Sequence, residues 1–474
     1  MKNTLLISLP LLTSLSTLNA GQKIIEERKN LVFFLVDDMG YGDLKYLGNK
    51  IIESPNIDSF AAEASVFTNA YVCPESSPTR AGLITGKHPA RLHLTSWIPQ
   101  QDSKGKVNNL KGWKIPQEET GVSLDEFTLA EALKQAGYTT CHVGKWHIGE
   151  DERGPLNQGF DFDPGYWPWS YPKSYFSPYG IPTLVDGPKG EYITDRLTDE
   201  AINFVKENKN KPFFLNFWHY AVHEPLRAKK TDIDHYLTKG APQTGKDMAT
   251  YSAMKASVDV SFGRLIDVLT QEGLLHNTVI VFMSDNGGVT KHADNGVLRE
   301  GKKTLYEGGI RIPMIIRIPE LKGKNQLIDN PVSLVDFYPT MLELLSIDSK
   351  KVNQQLDGES YAPLFYNKPM IRKDNALYWH HVLASNYGPA SAIRVDDYKL
   401  IIMHASNKTE LYNLKDDIGE TKNLAKTEPK VLAKLTKKLH KWLKETNAQM
   451  PEKITIRDES PMLNRDVIKK KSSK

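Results

Sequence analysis

Residues 30–36 (NLVFFLV) form an apolar run without alternation, the pattern of a β-strand buried on both faces, and the run stops abruptly at Asp37-Asp38. Similar runs recur at residues 213–218, 278–283 and 314–318. Between them lie helical periodicities at 56–65, 129–135 and 248–271, the last followed by Gly273 as a stop signal. Strands alternating with helices predict an α/β domain whose mostly parallel sheet is sandwiched by helices. In such sheets the polar residues at the carboxyl ends of strands face the ligand crevice. Asp37-Asp38 and Ser284-Asp285-Asn286, each directly after an apolar run, are therefore the first candidates for chemistry.

The pattern changes near residue 370. Residues 376–381, 391–403 and 410–414 read as antiparallel strands joined by polar turns such as Val395-Asp396-Asp397. Residues 430–446 form an amphipathic helix with Leu432, Leu435, Leu439 and Leu443 on one stripe. The expected organisation is a catalytic domain over 21–370, a smaller α+β subdomain over 371–460 and a basic tail over 461–474. No internal repeat is visible. The aromatic, proline-rich segment 166–180 (YWPWSYPKSYFSPYG) reads as a stiff loop, either packed locally or forming a wall on which sugars stack.

Residues 1–20 carry Lys2, an apolar core broken by Pro10 and a small-residue cleavage site before Gly21, which predicts an export signal. Its apolar run is short for a membrane span, so no stable membrane insertion is expected. Lys+Arg number 61 against 57 Asp+Glu, a net charge of +4. The excess sits in the last ten residues, where Arg465, Lys469, Lys470, Lys471 and Lys474 face Asp466 alone. A body without net charge argues against a nucleic-acid partner. Cys73 and Cys141 exclude a disulfide framework and a four-cysteine zinc site.

Asp37, Asp38, Asp285 and the Asn286 amide oxygen make an all-oxygen donor set, which suits calcium or magnesium and is poor for zinc. Taken alone, paired acids after a strand also solvate loops, and Asp-Asn-Gly-Gly at 285–288 is also a turn sequence. Ser76-Ser77-Pro78-Thr79-Arg80, continued by Ala81-Gly82-Leu83-Ile84-Thr85-Gly86, adds a second motif.

That motif resembles the formylglycine signature of the type I sulfatases, and the resemblance extends over nearly the whole chain. Asp37-Asp38-Met39-Gly40, Ser54-Pro55-Asn56-Ile57-Asp58, Gly144-Lys145-Trp146-His147-Ile148-Gly149, Ser284-Asp285-Asn286-Gly287-Gly288, Glu307-Gly308-Gly309-Ile310-Arg311-Ile312-Pro313 and Glu410-Leu411-Tyr412-Asn413-Leu414 are similar to sulfatase blocks, in the family's order. The resemblance implies an alkaline-phosphatase-like fold and a sulfuric ester hydrolase; the export signal, the aromatic loop and the second subdomain favour a sulfated carbohydrate, a polysaccharide or an oligosaccharide derived from one, over a small aryl sulfate as substrate. It implies that Ser76 is the residue oxidised to formylglycine and that Asp37, Asp38, Asp285 and Asn286, with the modified Ser76, hold one calcium ion. Arg80 and Lys145 then match the pair that steadies the formylglycine, His147 the base, and His223 and Lys302 the sulfate and leaving-group contacts. Arg299, His380 and His381 are further candidates for substrate contact, without motif support.

Two positions depart from the family pattern. Serine stands at 76 where many members have cysteine, and Lys303 follows Lys302 where glycine is frequent. Only Ser76, not Cys73, has Pro and Arg in register. A serine signature implies a bacterial serine-type maturation enzyme, and with the export signal a periplasmic or secreted protein. A phosphoester or phosphonate hydrolase on the same fold, and a non-catalytic sulfated-glycan binder with unmodified Ser76, are the alternatives.

Overall fold

The computed structural model describes residues 28–98, 113–239, 246–352, 354–383 and 388–453. The expected export signal and basic tail lie outside the described residues. The strands are β1 (Asn30–Val36), β2 (Ser65–Tyr71), β3 (Trp113–Lys114), β4 (Thr139–Gly144), β5 (Phe213–Trp218), β6 (Thr278–Ser284), β7 (Arg311–Arg317), β8 (Gln326–Ile328), β9 (Val332–Ser333), β10 (Leu377–His381), β11 (Ala390–Val395), β12 (Tyr398–Met403), β13 (Lys408–Asn413) and β14 (Glu452–Lys453). The helices are α1 (Pro55–Ala62), α2 (Ser76–Thr85), α3 (Leu129–Gln135), α4 (Ile193–Asn208), α5 (Lys230–Thr238), α6 (Lys246–Gln271), α7 (Glu307–Ile310), α8 (Phe337–Leu344) and α9 (Pro429–Glu445).

The large sheet has eight strands in the order β4-β5-β1-β6-β7-β2-β8, with β9 also on β2. All run one way except β7, which is antiparallel to both β6 and β2. The central strand β1 shows why the apolar run has no alternation. Leu31, Phe33 and Leu35 point into a core shared with α2, α3 and α8, and Val32, Phe34 and Val36 into the opposite core shared with α1, α4 and α6. Each strand residue has a buried side, so polarity marks only the strand ends.

Residues 314–317 do belong to a strand, β7, but its chain direction is reversed, a property that an apolar run does not encode. Among the strands of six or seven residues in this sheet, two escape the apolar criterion. β2 (SVFTNAY) carries half-buried Thr68 and Asn69, and β4 (TTCHVG) buries Thr140 and His142 within the sheet. His142 Nδ1 meets Asn216 Nδ2 at 3.0 Å, so the two buried side chains partner each other.

The second sheet is antiparallel, β10-β11-β12-β13. Here the period is two. Leu377, Trp379, Ala392, Ile401 and Tyr412 face Tyr71, Leu305, Tyr306 and Ile310 of the large domain. Tyr378, Ile393, Leu400 and Leu411 face α9, which buries Leu435, Leu439, Trp442 and Leu443, while Leu432 is half-buried. A buried ion network crosses the junction between the two sheets. Lys399 Nζ lies 2.9 Å from both Glu307 Oε1 and Glu420 Oε1, with all three side chains sealed from solvent. Removing the cation strands two carboxylates in the interior. Lys399→Met is expected to lower unfolding stability by about 3–5 kcal/mol in urea titrations; an unchanged midpoint at unchanged slope would show that the network carries no stability.

Candidate active site

Four strand ends and one helix start converge. Val36 pairs with Ser284 across β1 and β6, so Asp37 and Asp285 emerge side by side. Asp38 turns back with a left-handed φ of 63°, and Asp38 N donates to Asp285 Oδ1 at 3.1 Å. After β4 come Lys145 and His147, and after β5 the segment to His223. Ser76 is the first residue of α2, at the positive end of the helix. Arg80 follows four positions later, so helical spacing puts it on the same face as Ser76. Pro78 is tolerated because first-turn N–H groups have no intrahelical acceptor.

Ser76 Oγ donates to Asp37 Oδ1 at 3.1 Å, lies 3.4 Å from Asn286 Oδ1, and accepts from Lys145 Nζ at 3.2 Å. Lys145 Nζ also bonds Asp37 Oδ2. Arg80 clamps Asp285 Oδ2 through Nε at 3.0 Å and Nη2 at 2.7 Å, and its Nη1 donates to Lys145 O at 2.9 Å. Lys302 Nζ donates to Asp38 Oδ2 at 2.7 Å, with His223 Nε2 3.7 Å from the same oxygen. Asn286 Nδ2 donates to Asp38 Oδ1 at 2.8 Å, which leaves its amide oxygen turned towards Ser76. His147 Nε2 meets Ile98 O at 2.6 Å, and its Nδ1 has no partner among the described residues.

The charges explain what this cluster demands. Burial and then the neighbouring Asp285 push the Asp37 carboxyl up to about 7. Burial acts against Asp38 as well, but Lys302 and His223 outweigh it and hold that carboxyl below the usual range. Burial and Lys302 drive His223 down to about 3, and burial with Lys145 drives His147 well below a normal imidazole. Three carboxylates under one roof repel one another, a repulsion that Arg80, Lys145 and Lys302 offset and a bound cation would offset further. Carboxylate oxygens of Asp37 and Asp38 and a ring nitrogen of His223 lie within 4.8 Å of one another. The donors around Ser76, from Asp37, Asp38, Asp285 and Asn286, are all oxygen, a set whose charge and hardness fit calcium.

The remaining candidates lie elsewhere. Arg299 donates to Tyr412 Oη at 3.0 Å and Glu420 O at 2.8 Å, and stacks on Tyr306, so it ties the two sheets together. Buried His380 spends its ring nitrogens on Ser391 Oγ at 2.8 Å and Gln449 O at 2.9 Å. His381, also buried, meets Thr95 O at 2.9 Å and points its other nitrogen at Glu75, 3.6 Å away. His380 and His381 are thus sealed within the fold, whereas Arg299 is part-exposed and spends one guanidinium nitrogen, Nη1, on the small sheet. In the 166–180 loop Tyr175 and Tyr179 are buried and Trp169 and Tyr171 exposed, so the loop both packs and offers rings; Tyr175 Oη donates to His223 O at 3.2 Å.

Sequence reasoning missed the support behind the ligands. Asp43 accepts from Gly40 N at 2.7 Å and Asp294 N at 3.0 Å, and is itself held by Tyr251 Oη and Lys255 Nζ, each at 2.6 Å. This fixes the loops that follow Asp38 and Asn286. A lysine in the middle of α6 carries no signal that it is buried, although Asp43 within an otherwise tight Gly-Tyr-Gly-Asp turn is a hint.

Residues 29–347 match the Sulfatase family, about two thirds of the chain. The chain belongs to the sulfatase family. This sulfatase also matches, over residues 300–449, the family described as N-sulphoglucosamine sulphohydrolase, C-terminal. A sulfatase of Formosa agariphila is 29% identical, covering 98% of this chain and 97% of its own. N-acetylgalactosamine-6-sulfatase of Rattus norvegicus is 29% identical, covering 88% and 79% respectively. Among solved structures, Ps i-CgsB in complex with k-i-k-neocarrahexaose superposes with a TM-score of 0.75 at 31% identity, over 88% of this chain and 93% of that one. The fold is thus the alkaline-phosphatase-like fold of sulfatases, and the protein is a sulfuric ester hydrolase. The phosphonate monoester hydrolase of Agrobacterium radiobacter shares the fold, with a TM-score of 0.63 at 19% identity.

Proposed function

We propose that the protein is an exported, calcium-dependent sulfatase that removes sulfate from a sulfated polysaccharide or an oligosaccharide derived from one, using formylglycine made from Ser76 by a serine-type maturation enzyme. The observation that carries this reading is the placement of Ser76 Oγ, within 3.4 Å of Asp37, Asn286 and Lys145 at the start of α2. The carbohydrate class is supported by relatives named for sulfated amino sugars and by the oligosaccharide bound to Ps i-CgsB.

A sulfate monoester carries its charge on three oxygens, so attack at sulfur requires a fixed positive field and a proton for the leaving oxygen. Calcium held by Asp37, Asp38, Asp285 and Asn286 would supply Lewis acidity at that field. Lys145 supplies a second positive charge beside position 76. Burial works against Lys302, but Asp38 and Asp37 outweigh it and keep its ammonium protonated. Lys302 and His223 flank Asp38 Oδ2 and together serve the leaving oxygen, to which one of them passes a proton. His147 is neutral at ordinary pH. With Nε2–H spent on Ile98 O, its Nδ1 lone pair is the base that takes the proton from position 76 when sulfate departs. His380 and His381 take no part in this assignment, because both are buried away from the cluster, and Arg299 is left as a part-exposed candidate for substrate contact.

The rival reading is a phosphoester or phosphonate hydrolase. Matured protein is expected to turn over 4-nitrophenyl sulfate at least about a hundredfold faster than 4-nitrophenyl phosphate, as judged by kcat/KM. Preference for the phosphate ester would remove the sulfatase assignment of the site.

A further inference from the structure

The chain has a net charge of only +4, yet α9 alone carries six lysines against one glutamate. Its apolar stripe is spent on the small sheet, and the lysines are turned outward. Two of them are paired, Lys438 with Asp374 and Lys441 with Glu445 at 3.6 Å. Lys434 and Lys437 are exposed and have no ion pair among the described residues.

These lysines form one wall of a groove of about 1060 Å³ between α9 and the large domain. Exposed Lys373 and the guanidinium groups of Arg91 and Arg372 stand on the other side. Both guanidiniums are held in place, Arg91 by Asp357 at 2.8 Å and Arg372 by Asp336 at 2.6 Å. Seven cationic side chains line the groove against four carboxylates. Three of those carboxylates, Asp357, Asp374 and Glu445, are already paired within it. The groove is separate from the catalytic cluster. His88, on its floor, lies beyond the carboxyl end of α2, whose ten residues place Ser76 about 15 Å away.

We propose that this groove is a second, non-catalytic binding site for a sulfated polysaccharide. The inference rests on the sulfated-carbohydrate reading of the catalytic site. Lys434, Lys437, Lys438 and Lys441 recur at helical spacing along about 10 Å of one face. A row of compact charges of that length suits a polymer with esters repeated along its chain, where attraction grows with each neutralised ester and each counterion released. A single small sulfate ester has no use for such a row. The groove therefore holds the polymer while the site at Ser76 works on an ester elsewhere along it.

The test uses full-length, calcium-loaded, matured protein and its Lys373→Ser/Lys434→Ser/Lys437→Ser variant, all three positions being exposed and outside the catalytic cluster. The probe is dextran sulfate, with plain dextran as control and an oligodeoxynucleotide of matched charge as competitor. The expected result is about tenfold weaker dextran sulfate binding by the variant, with a shallower dependence on salt. Turnover of 4-nitrophenyl sulfate stays at the parent value. Equal affinity of parent and variant for dextran sulfate would overturn the proposal, as would an oligodeoxynucleotide that binds the parent as tightly and suffers the same loss. If neither protein turns over 4-nitrophenyl sulfate, the catalytic reading fails while the binding comparison still decides the groove.

Discussion

Protein in which Ser76 remains serine is expected to hydrolyse 4-nitrophenyl sulfate at least about 10⁴-fold more slowly than protein in which it has become formylglycine. The reason lies in the product of the first step. A serine hydroxyl that takes up sulfate becomes an alkyl sulfate ester, as resistant to hydrolysis as the substrate, and the site stalls. A hydrated aldehyde escapes, because its second hydroxyl can lose a proton to His147 as sulfate leaves. The measurement pairs two readings on the same preparations: turnover, and the mass of the tryptic peptide containing residue 76, from which maturation removes two hydrogens. Melting temperatures should agree, since the two side chains are similar in size. Full activity in a preparation whose peptide retains the serine mass would sink the mechanism.

Asp285→Ala is expected to abolish calcium binding and turnover together, and also to lower stability by about 3–5 kcal/mol. The last effect comes from Arg80. Both N–H donors of its outer edge rest on Asp285 Oδ2, and both side chains are fully shielded from solvent. Deleting the carboxylate leaves a guanidinium in the interior with only Asp37, 3.9 Å away, as a partial replacement. A second variant separates the two roles. Adding Arg80→Leu to Asp285→Ala should restore part of the lost stability, because no orphaned charge remains, but none of the calcium affinity. Calcium stoichiometry that survives in Asp285→Ala would take this residue out of the ligand set.

How much of this was legible in advance depends on what each residue spends its polarity on. β1 and β6 end in acids because nothing inside a doubly covered sheet tolerates an unpaired carboxylate, so Asp37, Asp38 and Asp285 stood out at once. Ser76 and Arg80 stood out through their motif, and their helical spacing explains its form. The α9 stripe of Leu435, Leu439 and Leu443 was equally plain. β4 was not, because Thr140 and His142 are polar yet buried through partners distant in sequence, Asp161 and Asn216. The antiparallel course of β7 was hidden too, since chain direction depends on connections rather than composition. His380 and His381 are chemically eligible by residue type, but burial beside the small sheet, through partners distant in sequence, is not written in their neighbours. Asp43 and Lys255 illustrate the converse: their importance arises only when two loops and a helix meet.

The burial of α2 has a consequence for the order of events in the protein's life. Ser76 is 2% exposed, and Pro78, Thr79 and Arg80 are sealed beneath the rim of the sheet. An enzyme that acts on the Ser76 side chain needs it within reach, and this degree of burial puts it out of reach. On the proposed function, oxidation of Ser76 would therefore have to precede closure of the domain, and a molecule that folds first would keep the serine. On that reading the specific activity of a preparation would record a race, between the arrival of the modifying enzyme and the collapse of the chain around its own signature.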